Sequence, residues 1–283
     1  MERLQQPFLE SSSKNAQTTV EEIQHEDDQH LLTVAVIYYE AATHLTKHIT
    51  LWIRLPGEIL SKIRLTVVDD GSQLQPASDV IRENSQILRT KPTLNISLLR
   101  IHEDIPWNIG GARNLIAHTV QTKYFFMTDV DIMLPEDIFP FFLQLLRDTE
   151  EHRIKEGIET VYTSFPRRMG NESHPIDKPH PALMLLSHQA YWSAGGCDED
   201  FAGSYGYTDP HFRWRLGHTK GVRTIHLAKI YPHAPYLREI QEESGKKLER
   251  NKTRNYILFD KKRNDVTAWS CVYLRFNWSF VTW

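Results

Sequence analysis

The sequence has few cysteines, no long apolar run and no large excess of charge of one sign. Its 283 residues contain two cysteines, Cys197 and Cys271, which excludes a disulfide-stapled scaffold, and their spacing fits no zinc knuckle. No stretch reaches the roughly 18 apolar residues of a transmembrane helix. The 33 Lys and Arg nearly balance the 36 Asp and Glu, so no nucleic-acid partner is expected, because such binders normally show a basic excess.

The N-terminal 30 residues are rich in Gln, Glu, Asp and Ser and lack the apolar core of a signal peptide. Such a segment cannot bury enough apolar surface to offset the entropy of ordering. We therefore expect a flexible N-terminal arm over 1–30 and a single domain over 31–283. With neither a signal peptide nor a membrane anchor in the sequence, the expected location is the cytoplasm.

From residue 31 the sequence alternates between two kinds of apolar pattern. Between the strand-like runs, apolar residues recur at helical spacing, as they do over 112–120 and 139–146. This alternation predicts βαβ units, and hence an α/β domain with a mostly parallel, Rossmann-like central sheet and helices on both faces. The predicted strands are 31–39, 63–69, 94–101 and 123–129.

The second half of the chain has weaker patterns. A strand is predicted over 160–164, and the Pro- and His-rich segment 166–181 is long enough to be a lid or substrate loop. The basic segment 245–263 is interpreted as a solvated helix face. Strict alternation over 272–280 predicts a half-buried strand, which we prefer to a membrane-surface patch.

Two of the predicted strands end in carboxylates. The run LTVVDDGS places Asp69 and Asp70 at the end of the second strand, and ligands of open α/β sheets bind beyond the carboxyl ends of the strands. A carboxylate at this position can accept the imide N–H of a uracil ring. The alternative is a turn cap, in which Asp and Ser bond nearby amides.

The fourth strand, YFFMTDVD, ends in Asp129 and Asp131. Two carboxylates at this spacing can converge on one hard cation, such as Mn2+ or Mg2+, that bridges a diphosphate. Such an ion neutralises the charge that builds on a departing phosphate. A DxD motif is common by chance, so this motif gains meaning only beside the other segments.

A glycine turn in the segment WNIGGARN opens a helix just before the DxD strand. Glycines let the backbone approach a ligand, and a helix N-terminus together with Arg113 favours an anion. The alternative is that Gly110 simply starts the helix while Arg113 is solvated.

The segment GGCDEDFAGSYGYTDPHFRWRL contains another helix start. Thr208 as N-cap puts Asp209 in the first helical turn, where the macrodipole favours an ionised carboxylate. Asp209 is therefore a candidate general base for a sugar hydroxyl. The alternative is a first-turn carboxylate that serves only the helix.

Taken together and in this order, the four segments resemble the GT-A glycosyltransferases of the family 2 type. The last one is also similar to the acidic block of the β-1,4-galactosyltransferase group. The resemblance spans about residues 33–233 and implies a GT-A domain that uses a nucleotide-sugar donor, usually a UDP-sugar, with a divalent metal. It also implies a nucleotide-binding half over 31–131, and an acceptor-binding half with a C-terminal extension over 132–283.

The resemblance also implies the donor contacts. Asp70 corresponds to the acid that reads uracil, and Asp69 lies beside it. Tyr38 and Tyr39 belong to the first loop, which lies near the base in such enzymes. Arg113 matches the arginine that borders the donor site.

For the metal, the resemblance implies direct ligation by Asp131, with Asp129 as a further ligand or as a contact to ribose or a metal-bound water. Many relatives add a histidine from a later strand or loop. This chain offers His226 and His233, and we favour His233 because its loop setting matches better.

At the acceptor side, Asp209 takes the place of the family's catalytic base. The sequence departs from the family pattern on either side of it, since Thr208 replaces the usual Glu and Pro210 follows. The predicted acceptor-binding residues, several of them aromatic because apolar sugar faces stack on rings, are Trp192, Gly196, Tyr205 and Tyr207.

The resulting hypothesis is a metal-dependent inverting glycosyltransferase that acts on a glycan or glycoconjugate acceptor. A retaining transferase of the same fold and a non-catalytic module that binds nucleotide-sugars or glycans remain alternatives. A sugar-nucleotide pyrophosphorylase would use a glycine-rich triphosphate loop near the N-terminus, which the sequence lacks. Asp209→Asn separates the main alternatives, because only an inverting enzyme should lose transfer while keeping its donor.

Overall fold

The structure is a computed structural model that describes residues 30–169, 176–240 and 248–283. The predicted N-terminal arm lies outside the described residues, apart from His30. The division into nucleotide-binding and acceptor-binding halves stays a prediction. None of the described helices is long and apolar enough to span a membrane.

The centre of the molecule is a parallel sheet built from the first four strands. Strand β1 lies between β2 and β4, and β3 pairs with β2, all in parallel. Each strand begins and ends within a few residues of its prediction. Their bounds are Leu32–Tyr38 for β1, Ile63–Asp70 for β2, Ile96–Ile101 for β3 and Tyr124–Asp129 for β4.

Further strands widen this sheet to eight, in the order β10-β6-β9-β4-β1-β2-β3-β12. Strand β9 is antiparallel to both β4 and β6, and β12 is antiparallel to β3. The other neighbours are parallel, which confirms the predicted fold class. The added strands are β6 (Glu159–Thr163), β9 (Met184–Ser187), β10 (Val222–His226) and β12 (Trp278–Val281).

Helices cover both faces of the sheet, as predicted. In β1, Val34 and Val36 join an apolar core with α1, α2 and α4, whereas Ala35 and Ile37 join a second core with α3, α5 and α6. The helices are α1 (Ala42–Trp52), α2 (Ala77–Glu83), α3 (Ile109–Thr119), α4 (Ile138–Glu156), α5 (His188–Ser193), α6 (Thr208–His218) and α7 (Thr253–Asn264). Shorter helical turns are Gly57–Leu60, Ser85–Leu88, Glu199–Phe201, Leu227–Ile230 and Val266–Ala268.

A small second sheet, ordered β5-β11-β7-β8, adjoins the end of β4. It corrects the prediction of a plain loop over 166–181, because two strands form there. The side chain of Arg168 donates to that of Asp177 at 3.0 Å and so links strands β7 and β8. The strands are β5 (Ile132–Met133), β7 (Arg167–Met169), β8 (Ile176–Asp177) and β11 (Leu237–Glu239).

The predicted strand over 272–280 is wrong for most of its length, since β12 begins only at Trp278. The backbone N–H groups of Leu274 and Arg275 donate to the carboxylate of Glu199, at 2.8 and 3.1 Å, and are therefore unavailable to a strand ladder. Phe280 is 64% exposed despite its apolar pattern position.

The basic segment forms helix α7 from residue 253, while 245–247 lie outside the described residues. Most residues of this helix are exposed, as predicted for a solvated face. Asn255 and Lys262 are the clear exceptions, because both are fully buried.

Candidate active site

Parallel pairing places the acidic strand ends at one edge of the sheet. The register sets Tyr38 of β1 beside Asp69 of β2, and Ile37 beside Asp129 of β4. Because β1, β2 and β4 all run in the same direction, their carboxyl ends form one rim. The two acidic motifs found in the sequence therefore meet at this rim.

At the end of β2, the two adjacent carboxylates have different partners. Asp69 accepts the backbone N–H groups of Ser72 and Ala77, each at 2.9 Å, so it holds the following turn as the turn-cap alternative describes. Asp70 accepts one side-chain N–H from Asn108 at 3.0 Å. Asp70 is therefore the better placed of the two to accept a ligand's N–H, and a donor contact by Asp69 stays a prediction.

Burial raises the pKa of Asp70 to about 7. The bond from Asn108 opposes this shift, while the negative charges of Asp69 and Asp104 add to it. The turn is closed at Gly71, whose φ is +80°, and a Cβ there would lie 2.3 Å from the carbonyl oxygen of Glu103. A side chain at this position would therefore push the two loops at the rim apart.

The two tyrosines of the first loop differ in accessibility. Tyr38 is fully buried and donates to the carbonyl oxygen of Gln75 at 2.5 Å, so it packs beneath the rim. Tyr39 is half-buried and donates to Asp104 at 2.8 Å. Tyr39 is thus the tyrosine that a base at the rim can reach.

Glu40, which the sequence analysis missed, organises the loop after β2. Its carboxylate accepts the backbone N–H groups of residues 73, 74 and 75 at 2.5, 2.9 and 2.7 Å. Its own backbone has a φ of 48°, which L-residues rarely adopt.

Arg113 joins the donor rim to the candidate base. This side chain is fully buried in α3, and its Nη1 donates to Oδ1 of Asp209. Its Nη2 lies 4.0 Å from Oδ1 of Asp129. One guanidinium therefore brings the end of β4 and the start of α6 to a common point.

The start of α6 is set by backbone geometry rather than by the predicted cap. Thr208 is the first helical residue, and the N-cap is Tyr207, whose φ of 67° is left-handed. The N-cap assignment to Thr208 is therefore wrong, but Asp209 still lies in the first turn.

The DxD carboxylates lie in an acidic neighbourhood that the sequence only half revealed. Burial raises the pKa of Asp131 to about 7, and the charges of Asp129 and Glu239 raise it further, against Arg167. Glu239 arrives there because β11 pairs with β5, and the N–H of residue 240 donates to the carbonyl oxygen of Asp131 at 2.8 Å.

These residues fit a divalent cation. Oδ1 of Asp129 is buried and has no hydrogen-bond partner within the described parts of the chain, and its ion-pair partner Arg113 stays 4.0 Å away, so a cation or ligand that contacts this oxygen directly would stabilise it. Among residues 30–169, 176–240 and 248–283, no three His, Cys, Asp or Glu side chains are grouped closely enough to hold an ion. Asp129 and Asp131 would thus supply the protein's ligands, leaving positions for phosphate oxygens.

The two candidate histidines differ in their surroundings. His226 ends β10, and its Nδ1 lies 3.1 Å from Oγ of Ser164. His233 is exposed in the connection between β10 and β11. Metal ligation by His233 stays a prediction.

His180, which the sequence analysis did not single out, lies at the site. Its Nδ1 accepts the backbone N–H of Ala182 at 3.2 Å, which leaves the proton of a neutral ring on Nε2. Burial lowers its pKa to about 4; the charge of Asp129 opposes this shift, and Arg167 and Arg113 support it. The ring is thus a neutral donor near Asp129. The only hint in the sequence was its place in the suspected substrate loop.

Two predicted acceptor residues are engaged in packing. Trp192 donates to the carbonyl oxygen of Ala117 at 3.2 Å, so it fastens α5 to α3. Gly196 is buried against it, and a Cβ there would lie 2.9 Å from the indole. An acceptor role for Trp192 and Gly196 stays a prediction.

The other two predicted acceptor residues lie in the loop before α6. The ring of Tyr205 packs on Trp107, with centroids 4.5 Å apart. Tyr207 packs on Phe259 at 5.4 Å and on Tyr256 at 5.7 Å, both from α7. Trp107 and Tyr205 both line a cavity.

The acidic block before that loop anchors the C-terminal segment, residues 248–283. Asp198 and Asp200 bind Nζ of Lys262 at 2.5 and 2.7 Å. Glu199 accepts from Asn114 of α3 at 2.7 Å besides its two backbone bonds. These carboxylates therefore fix the position of the loop that leads to Asp209.

Comparison of the fold with solved structures finds known transferases. The structure of S. aureus TarS 1–349 has a TM-score of 0.53 at 12% identity, with 74% of this chain and 60% of that chain covered. The structure of GalNAc-T7 with UDP, GalNAc and Mn2+ has a TM-score of 0.56 at 11% identity, with 83% of this chain and 49% of that chain covered. The mannosyltransferase PcManGT from Pyrobaculum calidifontis, in complex with GDP-Man and Mn2+, has a TM-score of 0.50 at 16% identity, with 75% of this chain and 57% of that chain covered.

The fold is the GT-A glycosyltransferase fold. This chain spans between about half and three fifths of the length of these neighbours. No family model matches the sequence, and no curated protein matches it. The likeness to these structures therefore concerns the fold, and the chemistry has to be argued from this chain's own residues.

Proposed function

We propose that this protein is a metal-dependent inverting glycosyltransferase that moves a sugar from a nucleotide-sugar, most simply a UDP-sugar, to a hydroxyl of a glycan acceptor. The observation that carries the proposal is the buried Arg113, which pairs with Asp209 and lies beside Asp129. It sets a candidate base and a candidate metal carboxylate on two sides of one guanidinium.

The donor would bind along the rim of the sheet. Asp70 in its ionised form accepts the imide N–H of uracil, while Tyr39 lies near the base. Arg113 and the Nε2–H of His180 face the diphosphate as donors to its oxygens. Two neighbours of the same fold, PcManGT in complex with GDP-Man and Mn2+ and GalNAc-T7 with UDP, GalNAc and Mn2+, support a nucleotide-sugar donor and a divalent metal.

Asp129 and Asp131 would hold Mn2+ or Mg2+, with His233 as a further candidate ligand. When bound, the ion offsets the negative charge that grows on the departing diphosphate. In the transfer, Asp209 takes the proton of the acceptor hydroxyl while its oxygen bonds the anomeric carbon. The bond from that carbon to the diphosphate breaks, and its electron pair leaves with the nucleotide.

The Asp209–Arg113 ion pair itself gives a reason to test a retaining transferase. It occupies Oδ1 of Asp209, so a base would act through the other oxygen or after Arg113 has turned to the donor. A retaining enzyme would not need Asp209 as a base, and a non-catalytic binding module would be indifferent to its loss.

The test is the stereochemistry and metal dependence of donor hydrolysis, with water as the acceptor. UDP-glucose, UDP-galactose and UDP-N-acetylglucosamine are incubated with Mn2+ or with EDTA, and the released anomer is followed by proton NMR. We expect hydrolysis in the samples with Mn2+ and none in those with EDTA, and we expect the β-anomer, the product of inversion, to appear first. If the α-anomer appears first, the inverting mechanism is contradicted. If none of the three donors is hydrolysed, the proposed glycosyltransferase activity is contradicted.

Asp209→Asn tests the base directly. We expect hydrolysis to fall by roughly 10²- to 10⁴-fold, with the Kd for UDP and Mn2+ within about twofold of wild type. Asp137→Asn, which removes the same charge from an exposed position before α4, is the matched control and should change neither quantity. Equal hydrolysis by Asp209→Asn and wild type would eliminate Asp209 as the base.

A further inference from the structure

A cavity of about 640 Å³ lies between the loop after β3, the loop before α6 and the C-terminal segment. Its volume falls within the roughly 300–1,000 Å³ typical of small-molecule sites. Trp107, Tyr205 and Arg254 are among the residues that line it. We call it the cationic pocket and define it by these three residues together with Arg250 and Lys252, which do not line the cavity but lie over the Tyr205 ring.

The aromatic part of the lining adjoins both parts of the candidate active site. Trp107 directly precedes Asn108, whose side chain holds Asp70. Tyr205 precedes the left-handed Tyr207 that starts α6, the helix of Asp209. The main chain ties the two loops together, because the N–H of residue 203 donates to the carbonyl oxygen of residue 106 at 2.7 Å. The pocket is therefore formed by the same two loops that lead to Asp70 and to Asp209.

Two further cations lie beside the aromatic part of the pocket lining. The guanidinium of Arg250 and Nζ of Lys252 lie 5.5 and 5.3 Å from the centroid of the Tyr205 ring. Arg254 donates to the carbonyl oxygens of Ala202 and Asp200, at 3.2 and 2.9 Å. Because carbonyl oxygens are neutral, these bonds hold the guanidinium in place without cancelling its charge.

No carboxylate within the described ranges lies within ion-pair distance of Arg250, Lys252 or Arg254. Glu249 contributes the acidic side chain of the lining, and its carbonyl oxygen accepts from the indole of Trp107 at 2.9 Å. Among the described residues the lining holds one cation, Arg254, and one carboxylate, Glu249, and the two cations over the Tyr205 ring add a positive surplus beside the aromatic rings. Rings stack on the apolar face of a sugar, while cations favour an anionic substituent.

We propose that the cationic pocket binds an acceptor saccharide that carries a carboxylate or phosphate group. The inference rests on the proposed transferase function and gives it an acceptor class. In this arrangement the ring of the acceptor stacks on Trp107 and Tyr205, and its anionic group faces Arg250, Lys252 and Arg254.

Glucose, glucuronate and glucose 6-phosphate test the proposal, because they share one ring and differ at carbon 6. Their dissociation constants are measured by saturation-transfer difference NMR at low and high salt. We expect at least one of the two charged sugars to bind about tenfold more tightly than glucose at low salt, with the difference shrinking at high salt. The tighter of the two identifies carboxylate or phosphate as the anion.

The double variant Arg250→Gln/Lys252→Gln should lose this preference while still binding glucose. Arg89→Gln/Lys91→Gln removes two charges from the connection before β3, on the opposite edge of the sheet, and should retain it. Trp107→Ala should weaken binding of all three sugars. Equal binding of charged and neutral sugars by wild type, or equal loss in both double variants, overturns the proposal.

A titration of the same wild-type protein with UDP and Mn2+ separates the two claims. Failure to bind UDP would count against the transferase function itself. Normal UDP binding without any preference for a charged sugar would refute the cationic pocket alone.

Discussion

The first four strands and the C-terminal segment are held in the molecule in opposite ways. The strands form a core of apolar side chains such as Val36 and Phe126, which are fully buried. The C-terminal segment joins this sheet through β12 and packs Phe276 into an apolar core, but its helix α7 attaches through polar side chains that are themselves buried, above all Asn255 and Lys262. Apolar burial tolerates many sequences of the right pattern, whereas a buried charge needs its specific partner. The two regions should therefore respond differently to substitution.

The largest effect is expected in the sheet. Phe126→Ala removes a ring that packs against Phe142 at 4.8 Å and Phe165 at 5.1 Å between centroids. We expect a loss of about 3–5 kcal/mol in the free energy of unfolding, measured by denaturant titration. Phe280→Ala, at a ring 64% exposed in β12, is the control and should stay within about 0.5 kcal/mol. Equal losses in the two variants would contradict the claim that buried apolar side chains hold the first four strands together.

A somewhat smaller and more local effect is expected for Lys262→Met. The change leaves the buried carboxylate of Asp198 without its cation, and we expect a loss of about 3 kcal/mol, since breaking a buried pair costs roughly 3–5. Hydrogen exchange should rise mainly in peptides of 248–283, and little in the first four strands.

Two further variants check the Lys262 prediction. Arg263→Met breaks an exposed i,i+3 pair with Asp260 and should cost less than about 1 kcal/mol. Adding Asp198→Asn to Lys262→Met should recover part of the loss, because the unpaired charge is then gone. Uniform exchange across both regions would show that the C-terminal segment is not anchored separately.

Asn255→Ala should have an intermediate effect on the loop before α6. The Nδ2 of Asn255 donates to the carbonyl oxygens of residues 201, 204 and 206 at 2.9, 2.7 and 2.8 Å. Leaving these acceptors unpaired should cost about 1–3 kcal/mol and raise hydrogen exchange over 201–207. Asn264→Ala, whose amide donates to the carbonyl oxygen of Asp260 on the exposed side of α7, should have no such effect. Protection that survives in Asn255→Ala would contradict the anchoring role.

The smallest effect concerns the donor rim and pH. Because the pKa of Asp70 is raised to about 7, the carboxyl is protonated below that pH and loses its ability to accept a uracil N–H. Uridine has no diphosphate, so its binding does not depend on a metal ion. Its dissociation constant should rise as pH falls through 7, by at most about tenfold per pH unit. Asp70→Asn should bind with a flat pH profile in the same NMR titration. A flat profile for wild type would argue against uracil reading by Asp70.

The sequence predicted best what depends on neighbouring residues. The short β-branched and apolar runs of β1 to β4 predicted the strands, and the carboxylates that end β2 and β4 stood out because they interrupt those runs. The strand predicted over 272–280 was largely wrong, because a partner distant in the chain overrides the local pattern. Its alternation is genuine, but Glu199 takes the N–H groups that a strand ladder would have used.

Asp70, Asp129 and Arg113 carry motif signals in the sequence. The parallel register brings Asp70 and Asp129 to one rim, and Arg113 reaches Asp129 from α3, while their roles in binding stay predictions. His180, Glu40 and Glu239 carry no local signal, because each acquires its role from a backbone segment or charge distant in the chain. The exposed position of His233 likewise depends on how the connection before β11 folds.

The amino-acid order alone determined the α/β alternation, the two acidic strand ends and the glycine turn before α3, since each is encoded within a window of about ten residues. Only the tertiary structure decided that Arg113 meets Asp209, 96 positions away, and that Lys262 is buried on Asp198, 64 positions away. Such partners are chosen by desolvation and charge once the layers have packed, and no local pattern records that choice.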